Sequence, residues 1–194
     1  MSDTSENKHT NPVYKKLAQL LDSIPNGFPA SRSGAELKLL AKLFTPEEAA
    51  LALHLTLTPR SAEQVAKSAG GDPRVLEENL KSMKGKGLIR MKRGEKGPVF
   101  GLIPFVVGIY ENQIGAMDEE FARLFEDYYK EAYHKVMTAK PAIHRVIPVE
   151  QAVQVGVEVL PYERASDIVS QAQSWGVLDC ICRVQQKLIG KGCD

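Results

Sequence analysis

The chain has 194 residues, 43% of them hydrophobic and 25% charged, with a formal net charge of +1 and a pI near 7.7. That is enough apolar material for the core of one domain or two small ones, and near-neutrality excludes a global attraction to nucleic acid or anionic membranes, so any such binding has to come from a local patch. No apolar run reaches the roughly 18 residues of a membrane span, and the polar start Met1–Thr10 lacks the apolar centre of a signal peptide, so a cytoplasmic protein is expected.

The pattern predicts a mainly α chain with small β elements (α+β). Residues 1–10 read as a disordered leader, 11–113 as a winged helix-turn-helix domain, and 114–194 as a long helix plus a small α/β region ending in a cysteine motif. Asn11-Pro12 pairs an N-cap with proline at the first helical position, and Tyr14, Leu17, Leu20 and Leu21 follow at helical spacing. The turn-rich stretch 25–33 ends this helix, and Ser33 is expected to start a second one bearing Leu37, Leu39, Leu40 and Leu43. Thr45-Pro46-Glu47-Glu48 has the spacing of a capping box and opens a third.

The next segment carries the fold signal. Ser61–Ala69 predicts a short helix, Gly70-Gly71 a turn, and Asp72-Pro73 the cap of a further helix with Val75, Leu76, Leu80 and Met83. Residues 87–93 and 99–102 then read as two strands around the turn 94–98, a hairpin in the place of a wing. Lys81, Lys84, Lys86, Arg90, Lys92 and Arg93 crowd this region, as phosphate contacts to DNA require. Against that stand Asp72, Glu77 and Glu78 on the same helix, which leave Asn79 as its evident polar reader of bases. Both a duplex-binding and a protein-docking use of the unit therefore stay open.

An apolar connector, 102–113, leads to an amphipathic helix over 117–137, whose stripe Phe121, Leu124, Phe125, Tyr128, Tyr129 and Tyr133 reads as core or as a homodimer seam. Residues 142–148 and 153–159 read as short strands that pair. A helix over 161–174 follows, with Ile168, Val169 and Ala172 expected inward, and Gly176 leads on to the cysteines. His9, His54, His134 and His144 each read as structural; His144 beside Arg145 offers two cationic donors.

All three cysteines, Cys180, Cys182 and Cys193, fall in the last fifteen residues. Soft thiolates at this density suit an iron–sulfur cluster or zinc, and CxC in place of the CxxC of a zinc knuckle puts zinc second. The CxC is expected on a sharp bend, with a short helix over 183–189, broken at Gly190, delivering Cys193. Arg183, Lys187 and Lys191 would lower the thiol pKa values and offset the charge of a thiolate-held cluster. A closed site takes four ligands, so the chain is expected to be the front part of something longer, or a site completed from elsewhere. No nucleophile–base constellation, phosphate loop or carboxylate pair appears, which points to a carrier or an oxidoreductase subunit and away from a self-contained enzyme.

The stretches Asn26-Gly-Phe-Pro29, Glu36–Ala49, Gly101–Glu111, His144–Pro148 and Trp175–Arg183 together give the whole chain a resemblance. It resembles the N-terminal region of a bacterial family of 4Fe-4S ferredoxin-like proteins that begin with a winged-helix segment. The resemblance implies that the CICR segment and the later Cys-Asp, with a fourth cysteine beyond, form a cysteine-rich site followed by ferredoxin-type motifs. It makes Cys180, Cys182 and Cys193 the expected ligands of a 4Fe-4S cluster; the fourth ligand is missing from this chain, which ends at Asp194. The leading expectation is an electron carrier that docks a redox partner protein through its winged helix. The alternatives are a metal- or redox-responsive DNA-binding regulator, and a protein-interaction fragment with unligated thiols.

Overall fold

The computed structural model describes residues 8–140 and 162–192, and over these the chain is mainly helical with one small antiparallel sheet. After a 3₁₀ turn at Lys8–Thr10, α1 spans Pro12–Asp22, α2 Ala35–Leu43 and α3 Pro46–Ala52. Asn11 caps α1 by accepting from the Val13 N–H at 3.0 Å. Thr45 and Glu48 form the reciprocal capping box that the sequence predicts for α3. Ser33 does not cap α2. The N-cap is Gly34, at φ +69°, and the Ala35 N–H is taken instead by Ser31 Oγ at 2.8 Å, while the buried Glu36 carboxylate accepts from Ser31 N–H and Oγ. Ser33 ties this turn to Glu131, ninety-eight residues on, through its N–H at 2.9 Å and its hydroxyl at 2.5 Å.

Arg60–Ser61 forms β1, α4 spans Ala62–Ala69, α5 Pro73–Gly85, β2 Arg90–Gly94 and β3 Gly97–Gly101. A second capping box, Ser61 with Gln64, starts α4, and Asp72 caps α5. The two helices pack on each other across the Gly70-Gly71 turn. The hairpin is tighter than its sequence implies: Gly94 pairs with Gly97, leaving Glu95 and Lys96 as a two-residue turn. The sheet order is β1-β3-β2, with Arg60 opposite Phe100 and Ser61 opposite Val99. α5 ends in a Schellman motif, with Leu88 N–H to Met83 C=O at 3.0 Å and Gly87 N–H to Lys84 C=O at 2.9 Å. Gly87 supplies the left-handed residue at φ +75°.

The helix expected over 117–137 is present with an internal irregularity. α6 spans Glu119–Tyr128, a π turn follows at Tyr129–Tyr133, and α7 completes it over His134–Met137. The extra residue of a π turn rotates the face beyond it, so that Tyr133 is buried along with Phe121, Phe125 and Tyr128; Tyr129 is 42% exposed. These rings close over the loop 26–29. Phe28 packs 4.4 Å from Phe105 and 5.0 Å from Tyr128, the Tyr128 hydroxyl donates to Pro29 C=O at 3.1 Å, and Asp22 accepts the Phe28 N–H at 2.8 Å. Burying each such ring contributes about 1.5–3 kcal/mol. One continuous cluster of buried side chains runs from Tyr14 of α1 to Ile181.

α8 covers Tyr162–Gln171 and α9 Ile181–Leu188. Ile168 and Val169, expected inward, are 56% and 58% exposed, and the helix stops five residues before Gly176. The two strands expected over 142–148 and 153–159, with His144 and Arg145, lie outside the described residues, as does Cys193. Among the described residues, no helix is long and apolar enough to cross a membrane.

Candidate metal centre

The site is built on α9. Cys180 is its N-cap, at φ −78° and ψ 117°, and its carbonyl accepts from Val184 N–H at 3.0 Å. The bend expected of the CxC is thus confined to Cys180, and Cys182 already sits in the first helical turn. Ile181 between them turns inward and is 8% exposed, anchoring the motif in the core and leaving both thiols on the surface.

The far end of α9 is a second Schellman motif. Lys191 N–H reaches Gln186 C=O at 2.8 Å and Gly190 N–H reaches Lys187 C=O at 3.1 Å, with Gly190 at φ +75°. The turn folds the chain back on its own helix. A Cβ added at Gly192 would stand 3.3 Å from Lys187 Cα, so glycine permits this approach. Gly192 consequently lines the same cleft as Cys180, a space of about 800 Å³ bordered by Leu178 and by the charged side chains of Asp179, Arg183 and Lys187.

A single carboxylate holds this arrangement to the core. Glu126 of α6 accepts from Lys191 Nζ at 2.9 Å, Gln186 Nε2 at 3.0 Å and Gln185 Nε2 at 3.2 Å, and pairs with Lys130 at 3.0 Å. Gln185, 4% exposed, also donates to Ala122 C=O at 3.3 Å. The Lys191 ammonium, with smaller contributions from Lys130 and the two glutamines, holds the Glu126 carboxyl at a pKa of about 2. Sequence spacing shows Lys130 one turn along from Glu126; nothing in it connects Glu126 to Lys191.

The two thiols are unlike each other. The backbone N–H groups of Arg183 and Cys182 draw the Cys180 pKa down without meeting the geometry of a full cap hydrogen bond, and the Arg183 charge adds to them. Burial pushes the Cys182 thiol up instead, and the adjoining Cys180 pushes the same way. Of the cations expected to lower the thiols, Arg183 contributes at Cys180, behind the backbone N–H groups, while Lys191 is engaged by Glu126 and Cys182 is raised. Tyr110 lies near enough for both thiolates to add to the desolvation that raises its own pKa. Its ring stacks 3.9 Å from Phe125, and its buried hydroxyl has no hydrogen-bond partner among the described residues. Sequence reading missed Tyr110 and Glu126, both of which act through contacts remote in the chain.

No family model matches this sequence, and no curated protein or solved structure does. The ligand set therefore has to be judged on geometry. Among the described residues no group of three or more His, Cys, Asp or Glu is arranged to hold a metal ion. Two adjacent thiols facing solvent fit two positions of a thiolate-held group, and Gly192 on the same cleft stands immediately before Cys193. Of the histidines, His134 bonds locally, with Nδ1 3.1 Å from Tyr129 C=O.

Two of the basic residues near the hairpin are ion-paired. Lys81 is held by Glu77 at 2.6 Å and Lys86 by Glu48 at 2.7 Å. Arg90 is half-buried with its Nε enclosed, while Lys84, Lys92 and Arg93 are exposed. The exposed face of α5 presents Arg74, Val75, Glu78, Asn79, Lys81 and Ser82.

Proposed function

We propose that this chain is an iron–sulfur protein of electron transfer, with Cys180, Cys182 and Cys193 as thiolate ligands of a 4Fe-4S cluster. The observation that carries the reading is the cleft bordered by Cys180, Arg183, Lys187 and Gly192, with Cys182 in the first turn of the same helix. A bound cluster would supply one-electron chemistry. The chain's part is to present the thiols from a helix start where backbone N–H groups favour anionic sulfur, to offset cluster charge with Arg183 and Lys187, and to keep one side dry with Ile181 and Tyr110. Anaerobic reconstitution with iron and sulfide, followed by analysis of both elements, tests this. Bound sulfide in step with iron supports the assignment; metal without sulfide, or zinc held through purification, moves it to a simple metal site.

The unit from β1 to β3 we assign as a winged helix, on the order helix, glycine turn, helix, hairpin and the pairing of β1 with β3. Its proposed use is to dock a redox partner protein. On the exposed side of α5, Val75 and the Glu78 carboxylate stand among Arg74, Asn79 and Lys81, a mixed apolar and charged surface of the kind that proteins meet. The exposed Lys84, Lys92 and Arg93 carry the second reading, DNA binding. Three phosphate contacts predict a salt slope near −3 in duplex binding, and a slope near zero removes that reading.

A further inference from the structure

The pair Cys180 and Cys182 has a chemistry of its own when no metal holds it. Covalent geometry keeps the Cα atoms of an i, i+2 pair within about 7 Å, and the turn into α9 brings such a pair into the range of roughly 4.4–6.8 Å that a disulfide spans. Ile181 between them is already helical, and both thiols are free and exposed. Each therefore meets the two conditions of thiol–disulfide exchange, access and a neighbouring thiol to resolve the mixed disulfide. The cleft at Cys180 carries Arg183 and Lys187 against Asp179, an excess of one positive charge where a small disulfide would lie.

We infer that Cys180 and Cys182 form a redox-active dithiol that closes to an intramolecular disulfide on reaction with anionic low-molecular-weight disulfides. The Cys180 thiolate, at the open end of the helix, attacks one sulfur of the small disulfide; a mixed disulfide forms and the first small thiolate leaves. Cys182 gives up its proton and attacks Cys180 sulfur, which forms the protein S–S bond and expels the second small thiolate. The protein loses two electrons and two protons, and one small disulfide becomes two small thiols. The oxidised pair has no thiolate to offer a metal, so the reaction is a switch between a ligating and a non-ligating α9. It does not depend on whether a cluster binds the reduced chain.

The reduced, metal-free full chain is treated with oxidised glutathione, which is anionic, or with neutral bis(2-hydroxyethyl) disulfide, then alkylated and digested with trypsin. Cleavage after Arg164 and Arg183 places Cys180 and Cys182 in one peptide, 165–183, and cleavage after Lys191 isolates Cys193. The expected product is peptide 165–183 lighter by two hydrogens, refractory to alkylation and linked to nothing else. Cys182→Ser should stop at the mixed disulfide on Cys180. Low salt should favour the anionic probe over the neutral one several-fold, and Arg183→Gln with Lys187→Gln should remove that preference. A link from 165–183 to the Cys193 peptide or to a second chain, or persistence of the mixed disulfide in the unmutated chain, overturns the pairing. A probe preference that neither salt nor the charge variants change overturns the anion selection. Both thiols are exposed, so the serine variants should keep the fold, which far-UV circular dichroism checks.

Discussion

Removal of the Glu126 carboxylate should release α9 while leaving the rest of the fold in place. Its bonds to Lys191 and Lys130 involve side chains that are 50% and 59% exposed, and such pairs are worth at most about 1 kcal/mol each. Those to Gln185 and Gln186 are charge-assisted and partly or fully buried, and net contributions to charged groups run to about 1.5–3 kcal/mol. Because the four share one carboxylate they are not additive, and Glu126→Ala should cost about 2–3 kcal/mol, felt mostly as local opening. At 1.4 kcal/mol per factor of ten, that raises the open population of α9 roughly 30- to 150-fold. Native-state hydrogen exchange reads it directly at the amides of Val184, Ile189 and Lys191, each hydrogen-bonded within α9 or its closing turn. Amides in the middle of α1 should change far less. Glu126→Gln should recover part of the loss, since an amide oxygen still accepts from the glutamines. Exchange in α9 that stays within about threefold of the parent in Glu126→Ala would refute the anchoring argument.

Acid should reproduce that release. The Glu126 pKa is lowered on folding, so its contribution is fully present above the ordinary glutamate value of 4.5 and is lost as pH falls toward about 2. Protection of α9 should fade across that window in the parent chain and be flat in Glu126→Gln. Phe28→Ala empties the space beside Phe105 and Tyr128, and should cost about 3–5 kcal/mol. At 2–4 °C per kcal/mol this lowers Tm by roughly 6–20 °C in a thermal melt; a loss of a degree or two would contradict a close-packed aromatic centre. Gly87→Ala places a Cβ 2.5 Å from Asn112 Cβ at a left-handed φ, whereas Gly190→Ala meets the same φ with nothing within 4 Å. Denaturant melts should therefore show about 1 kcal/mol for Gly190→Ala and clearly more for Gly87→Ala, and equal losses would contradict the close approach of α5 to residue 112.

Local capping made much of the fold legible. Asn11-Pro12, Thr45 with Glu48, and Asp72 each satisfy backbone donors within three residues, so short-range spacing suffices to place α1, α3 and α5. What was not legible depends on partners far along the chain. β1 is two residues long and exists through its pairing with Val99 and Phe100, which no alternation in Arg60-Ser61 announces. Ser33 has the residue type of a cap, yet Glu131 takes it, and Ser31 caps α2 in its place. The π turn at 129–133 breaks the helical period that an apolar stripe assumes, and it is Tyr133, five residues past Tyr128, that continues the buried face. At the candidate site the same division holds. Clustering of the cysteines and the helix-ending role of Gly190 could be read from spacing, while the Glu126 anchor, the enclosure of Tyr110 and the burial that raises the Cys182 pKa arise only in the folded chain. The stretches that carry the family resemblance also have work inside the fold: residues 26–29 and 101–111 place Phe28 and Phe105 in one aromatic cluster, and Glu36 ties down the turn before α2.

The most direct test of the central claim is parallel anaerobic reconstitution of the parent chain and of Cys180→Ser with Cys182→Ser, reading iron, sulfide and the visible sulfur-to-iron charge-transfer absorption. The account predicts iron and bound sulfide in similar amounts with a broad visible band in the parent, and neither in the double variant, whose α1–α6 exchange protection should match the parent's. A double variant that keeps the same iron, sulfide and spectrum as the parent would contradict it.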